Sequence, residues 1–275
     1  MRQRATSAAV LVPLLLIVVA VGGYALSIAV AVITVVAARE VFSLLRSAGQ
    51  LALPALGAVL ALTVLLDAAV PEVLESSGLL LIAIGVVLVA VASFTRPDPR
   101  DGLSTWMATM FGALYVSLLA FVIRLGHAGP PVPDTAPLAA LGAERGWIVL
   151  LILAVWSYDT GAYLVGRQFG RRTFLSHISP SKTYAGLIGG IVATTVVVGL
   201  TLVGLGQSPL HALVLGPVTA LAAQAGDLAE SMLKRAAGAK DSGNLIPGHG
   251  GMLDRVDSFL FAAPVVTLYV VARVA

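Results

Sequence analysis

From Gln224 to Ser258 the chain reads QAGDLAESMLKRAAGAKDSGNLIPGHGGMLDRVDS, a run of carboxylates, cations, hydroxyls and glycines inside an otherwise apolar sequence. Asp227, Glu230, Ser231 and Lys234 follow i, i+3, i+4, i+7 spacing, so on a helix they form one polar stripe. That helix continues an apolar span, and its stripe is expected to line a cavity at a membrane boundary. A turn with glycines at 238, 243, 248, 250 and 251 follows, carrying Lys240, Asp241, Asn244, Pro247 and His249. Glycine admits positive φ and a close approach of backbone to ligand. Asp254, Arg255 and Asp257 then open the last apolar run. Two separated carboxylates, Asp227 and Asp254, flanking a loop rich in cations suit magnesium-assisted phosphoryl or nucleotidyl transfer. Mg²⁺ takes one or two carboxylates plus substrate phosphates and water, and Lys and Arg take up charge on the other phosphate oxygens. Ion pairs between helices at the inner membrane face would use the same residue types, but the run is too dense in charge for that alone.

A second polar group precedes it. Asp159 sits within the apolar stretch Trp147–Gly166, where insertion costs roughly 2.5–3.5 kcal/mol. It is expected to face a partner, an ion or a water-filled cavity; a hydrogen bond to a neighbouring helix is the structural alternative. Tyr163 shares its helix face one turn on. Next come Gly166-Arg167-Gln168-Phe169-Gly170-Arg171-Arg172 and Ile178-Ser179-Pro180-Ser181-Lys182-Thr183-Tyr184. Glycines, hydroxyls and cations on one loop suit a polyanion, because backbone N–H groups and helix N-termini favour phosphate. A basic loop that only sets topology is the alternative.

These residues need elements to hold them, and the composition says which. Of 275 residues 58% are hydrophobic and 11% charged, against about 25% charged in soluble domains. Lipid is the matching solvent. Long apolar runs without alternation predict an all-α, polytopic transmembrane bundle, since only helices or closed barrels satisfy the backbone in lipid. Nine spans are expected near residues 5–21, 24–38, 51–69, 79–95, 106–124, 147–166, 184–205, 210–226 and 256–273. With the N-terminus cytoplasmic, only Arg124, Arg145 and Arg273 of the seventeen Lys and Arg fall outside, as the positive-inside rule requires. The basic excess (+3) is therefore topological, and no nucleic-acid partner is implied. The absence of cysteine excludes disulfides and thiolate chemistry. Residues 1–146 read as a scaffold of membrane helices, with Glu40 beside Arg39 as an interfacial ion pair. Residues 147–275 read as the catalytic region, with cytoplasmic loops 167–183 and 227–255.

The segment Ser231–Asp257 resembles, without a gap, the signature of the phosphatidate cytidylyltransferases (CDP-diacylglycerol synthases). That signature runs S-x-hydrophobic-K-R, four residues, K-D-x-small, two residues, hydrophobic-P-x-H-G-G-hydrophobic-x-D-R-hydrophobic-D. Asp159 with Tyr163, Gly166-Arg167 and the Ser-Pro-x-Lys-Thr loop are similar too. Ser181 and Ala185 depart from the basic and acidic residues many members carry there. The resemblance implies the reaction of CTP with phosphatidate to give CDP-diacylglycerol and pyrophosphate, with Mg²⁺ and room for a second cation, monovalent or divalent. Asp227 and Asp254 would hold the metal. Lys240 and Asp241 would join them in catalysis. Lys182, Lys234, Arg235, Arg167 and Arg255 would bind substrate, with Ser179, Thr183, Ser231 and His249 as hydrogen-bonding groups and Asp159 and Tyr163 shaping the cavity. It further implies a multi-pass protein of the cell (plasma or inner) membrane, an active site facing the cytoplasm, and is in keeping with a homodimer. The competing readings are a CTP-dependent transferase or kinase acting on an ether lipid phosphate or a polyprenol, a secondary transporter, and a structural scaffold.

Overall fold

The computed structural model describes residues 2–74, 77–248 and 250–274. Helices dominate, and among the described residues there is no strand, only the isolated bridges Thr173–Thr183 and Ile246–Gly250. The helices are α1 (Arg2–Val21), α2 (Gly23–Ser47), α3 (Pro54–Ala69), α4 (Pro71–Leu74), α5 (Ser77–Ser93), α6 (Pro99–Ser117), α7 (Ala120–Ala128), α8 (Gly142–Phe169), α9 (Tyr184–Gly204), α10 (Ala212–Ala236) and α11 (Leu253–Arg273). Six stretches are long and apolar enough to cross a membrane: Gly23–Ser47, Pro99–Ala128, Ala139–Phe169, Tyr184–Gly204, Pro209–Ala236 and Leu253–Arg273. Three shorter apolar helices, Ala9–Val21, Pro54–Ala69 and Ser77–Ser93, accompany them. Exposed apolar side chains fall in helical register, as at Ile188, Val192, Val196 and Leu200 of α9. Such a stripe on a helix suits contact with lipid. The chain is a multi-pass membrane protein.

Two compact units are formed, one from residues 1–123 and 232–256, the other from 124–231 and 257–275. In the first, Gly22 and Gly23 take positive φ and break the apolar run into α1 and α2. Proline opens α3 and α6, and Asp98 caps α6 by accepting from Arg100 N. The Phe42 ring of α2 occupies the space that Gly57 and Gly112 leave empty. This close fit fixes α2 against α3 and α6, and with it the position of Glu40 two residues earlier.

In the second unit, α8 and α9 meet along a seam of glycines. Gly161 lies against Gly189 and Ala193, Gly166 against Gly186, and Gly190 against the Tyr158 ring. Small residues let helix backbones approach closely where lipid supplies no hydrophobic drive. At 28 residues, α8 is ~42 Å long at ~1.5 Å per residue, more than the ~30 Å hydrocarbon layer. Its Arg167 end therefore has the length to leave the apolar region. Trp147, fully buried, anchors the other end by donating from Nε1 to Pro130 O at 3.0 Å.

A Cβ at Gly190 would stand 2.5 Å from Tyr158 Cε2. Gly190→Leu is expected to lower the Tm of the detergent-solubilised protein by roughly 2–10 °C, the effect of ~1–3 kcal/mol of overpacking. Thermal unfolding of the purified variant measures it, and an unchanged Tm would mean that the seam is loose.

Candidate active site

The glycine-rich loop of the first unit is built around two carboxylates. Asp254, in the first turn of α11, accepts from Lys234 Nζ on Oδ1 at 2.7 Å. Its Oδ2 lies within hydrogen-bonding distance of Gly251 N, Ser242 N and Ser242 Oγ, at 2.8–2.9 Å. A carboxylate can take all of these, because it only accepts. Gly250 has φ +82, and a Cβ there would lie 2.6 Å from Asp254 Oδ2. Glycine is thus required twice at that position, once for the backbone and once for the approach of the carboxylate.

The second carboxylate is Glu40, and here the structure corrects the sequence reading. Arg39 is exposed, while Glu40 is only 9% exposed and turns into the loop. Oε1 accepts from Met252 N at 2.9 Å, and Oε2 from Leu253 N at 2.7 Å, with Ser242 Oγ at 2.9 Å. Glu40 therefore caps α11 from a helix more than two hundred positions away. The anion meets the first N–H groups of that helix, where the dipole favours negative charge. Gly243 and Gly251 have no side chain because Glu40 occupies that space. In the sequence its one sign was a carboxylate on an apolar helix; its partner could not be read from spacing.

Lys240, Asp241, Asn244, Pro247 and Arg255 line a cavity of about 660 Å³ beside this network. Ser7 Oγ donates to Pro247 O at 2.8 Å, tying the loop to α1. Arg235 is exposed and donates to Ala239 O at 3.2 Å, closing the C-terminal end of α10. His249, expected to contact substrate, lies outside the described residues.

The second unit holds the other group. Asp227 on α10 forms an ion pair with Lys182, and Ser231 Oγ lies 3.4 Å from its Oδ1. The loop presenting Lys182 is a folded unit: Phe174 N donates to Lys182 O, and Tyr184 N to Arg172 O. Arg172 lies over the Tyr184 ring, 5.8 Å from its centre. Ser179 is buried, with its N–H bound to Leu175 O. Thr183 is the N-cap of α9, its Oγ1 accepting from Gly186 N at 3.1 Å. Asp159, Tyr163, Arg167, Lys182, Thr183 and Gln224 share a second cavity, of about 390 Å³, which Ser181 also lines. Sequence reading left Gln224 unassigned. It is 5% exposed, and its Oε1 accepts from the fully buried Tyr158 hydroxyl. Glu230, on the predicted stripe, is completely buried.

The expected site residues thus gather within each unit. Lys234 and Asp254 pair, with Lys240, Asp241 and Arg255 around the neighbouring cavity. Lys182, Asp227 and Ser231 join, with Asp159, Tyr163, Arg167 and Thr183 around the other. Among the described residues no three His, Cys, Asp or Glu cluster as a metal cage. The donor set offered is paired carboxylate and lysine, beside cavities that a phosphate could enter.

Helices suited to a membrane, with basic and acidic loops of this kind, define a multi-pass membrane protein whose cavities suit anions. The chain belongs to the Cytidylyltransferase family, which it matches over residues 2–272. It is 34% identical over 285 residues to a phosphatidate cytidylyltransferase of Synechocystis, covering 98% of this chain and 96% of that one. A chloroplastic phosphatidate cytidylyltransferase of Arabidopsis thaliana is 35% identical over 89% of this chain and 65% of its own. One from Bacillus subtilis is 45% identical over 43% of this chain and 45% of its own.

Glu40→Ala removes the acceptor for two backbone N–H groups at the start of α11. Unsatisfied buried donors cost ~1–3 kcal/mol each, so the loop opens locally before the protein unfolds. Limited trypsin digestion is expected to cut after Lys240 at least several-fold faster than in the wild type. Equal cutting rates would remove Glu40 as the clamp of this loop.

Proposed function

We propose that this chain transfers the cytidylyl group of CTP to phosphatidate, forming CDP-diacylglycerol and releasing pyrophosphate. The observation that carries the reading is the gapless Ser231–Asp257 signature, whose Lys240, Asp241 and Arg255 line one cavity. It occurs in a chain related end to end to an enzyme of that name. The chemistry asks for such a loop. A lipid phosphate monoester is already a nucleophile at neutral pH, so no dedicated base is needed. One of its oxygens attacks the α-phosphorus of CTP, the bond to the bridging oxygen breaks, and pyrophosphate leaves with the electron pair.

The protein's share is to position two anions and offset their repulsion. Lys240 and Arg255 bind phosphate oxygens from the wall of the first cavity. Lys182 and Lys234, paired with Asp227 and Asp254, would bring their ammonium groups to the phosphates, and an ammonium has three donors to share among its partners. Thr183 uses its oxygen to cap α9 and keeps its hydroxyl proton for a phosphate. Ser179 and His249 are the other proposed hydrogen-bonding groups, and Asp241 assists from the wall of the first cavity.

Asp227 and Asp254 are the proposed Mg²⁺ ligands. The donor set fits: both are hard anionic oxygens, and among the described residues Asp254 Oδ1 takes only Lys234 while three donor atoms surround Oδ2. Bound there, Mg²⁺ would neutralise charge on the attacked phosphate. The topology that goes with this reading is nine spans, a cytoplasmic N-terminus and an active site on the cytoplasmic face of the cell membrane, where CTP and a bilayer lipid can both arrive. The positive-inside bias of the loops supports it.

Purified protein given labelled CTP and phosphatidate is expected to label the lipid and to stop when divalent cations are chelated. A polyprenol or another lipid acquiring the label instead would overturn the assignment. Asp227→Asn and Asp254→Asn are each expected to lower turnover by ~100-fold or more, about 2.7 kcal/mol, while circular dichroism stays helical. Near-normal turnover in either variant would take that residue out of the metal site.

A further inference from the structure

The cavity of the second unit contains a polar atom that the proposed chemistry leaves unused. Gln224 is 5% exposed and sits on the cavity wall. Its Oε1 is taken by the Tyr158 hydroxyl, and its Nε2 has no hydrogen-bond partner among the described residues. A buried amide donor left unpaired costs ~1–3 kcal/mol, and Leu or Met would fill the same volume without that cost. The fully buried Tyr158 spends its only hydroxyl on fixing the amide's orientation, so the free N–H₂ is held in one direction.

The surroundings indicate what the donor meets. The cavity is built on α8, α9 and α10, all within stretches long and apolar enough to cross a membrane. Ala162, Tyr163 and Leu187 line it, and the neighbouring Leu164 and Ile188 are exposed apolar side chains. Arg167 and Lys182 supply its cations. Asp159, also on the wall, is eight residues before Arg167, ~12 Å along α8, so an anion is better placed near Arg167 and Lys182 than beside this carboxyl group. Gln224 precedes Asp227, the partner of Lys182, by three residues, ~4.5 Å along α10. A ligand with a phosphate near Arg167 and Lys182 thus presents an uncharged acceptor to Gln224, one short linker away. In an acylated glycerol phosphate that acceptor is an ester carbonyl.

We propose that Gln224, oriented by Tyr158, donates to an ester carbonyl on the glycerol backbone of the lipid substrate and selects ester-linked over ether-linked glycerol phosphates. The inference rests on the lipid cytidylyltransferase reading. An ether oxygen is a much weaker acceptor than a carbonyl, so a site built around this bond rejects the analogue that lacks it. Gln224 is a specificity residue that touches the lipid; Tyr158 is a positioning residue that acts through it.

The test compares diacyl phosphatidate with its dialkyl ether analogue, using the purified full-length protein, CTP and mixed micelles. The wild type is expected to favour the ester lipid at least tenfold in kcat/KM. Gln224→Leu and Gln224→Glu, the latter exchanging donor for acceptor, should each bring that ratio towards one. The loss should fall on the KM for ester lipid, with the KM for CTP unmoved. Tyr158→Phe should shift the ratio the same way by a smaller factor. Equal use of both lipids by the wild type would overturn the proposal, as would an unchanged ratio in the variants. A raised KM for CTP or a gain of UTP use in the variants would instead assign the amide to the nucleotide base. Failure to label either lipid would sink the underlying reading, a result distinct from labelling both equally.

Discussion

An anion taken out of water must be met by donors, and in a chain with 11% charged residues that requirement shapes every polar feature. Isolated, a buried carboxylate is costly by several kcal/mol even after relaxation. Glu40 and Asp254 are met by backbone N–H groups, one hydroxyl and one lysine. The same contacts order the loop between Lys240 and Arg255. Charge burial and loop structure are therefore one interaction seen from two sides: the loop folds because the carboxylates need donors, and the carboxylates remain buried because the loop supplies them. Ser242, with its Oγ close to both carboxylates, has only one hydroxyl proton to give, and the backbone donors around it carry the remainder.

The second unit solves the same problem with different parts. Asp227 is matched by Lys182, which arrives on a loop held by its own backbone hydrogen bonds and by the capped start of α9. The glycine seam between α8 and α9 brings that loop close to the Arg167 end of α8. Thr183 contributes to both tasks, closing the helix with its oxygen while standing on the cavity wall. Such double use follows from a sequence with few polar residues to distribute.

Much of this was visible in the residues. The apolar runs foretold every long helix, because a span must satisfy its backbone internally whatever its neighbours. Helices α2, α8 and α10 extend past their apolar cores into polar turns that hydropathy alone ended early, at 38, 166 and 226. The stripe Asp227–Glu230–Ser231–Lys234 was legible from spacing, and Lys234 does turn inward. Glu40 and Gln224 were not legible as site residues. Each depends on a partner remote in sequence, Ser242 and Met252 for one, Tyr158 for the other, and periodicity within a segment carries no information about what packs across from it. Thr183 was recognised as a site residue, but its capping role follows only from the backbone of α9.

Helix α10 carries Gln224, Asp227, Ser231 and Lys234 on one unbroken run of backbone, so their angular order is set by residue count alone. Each added or deleted position would rotate everything beyond it by ~100° and slide it ~1.5 Å. Substitutions along this helix can be absorbed locally, whereas a change in its length cannot. Over evolutionary time the stretch should behave as a fixed-length ruler, drifting in composition at its lipid-facing positions while tolerating no insertion between its first and last polar marks.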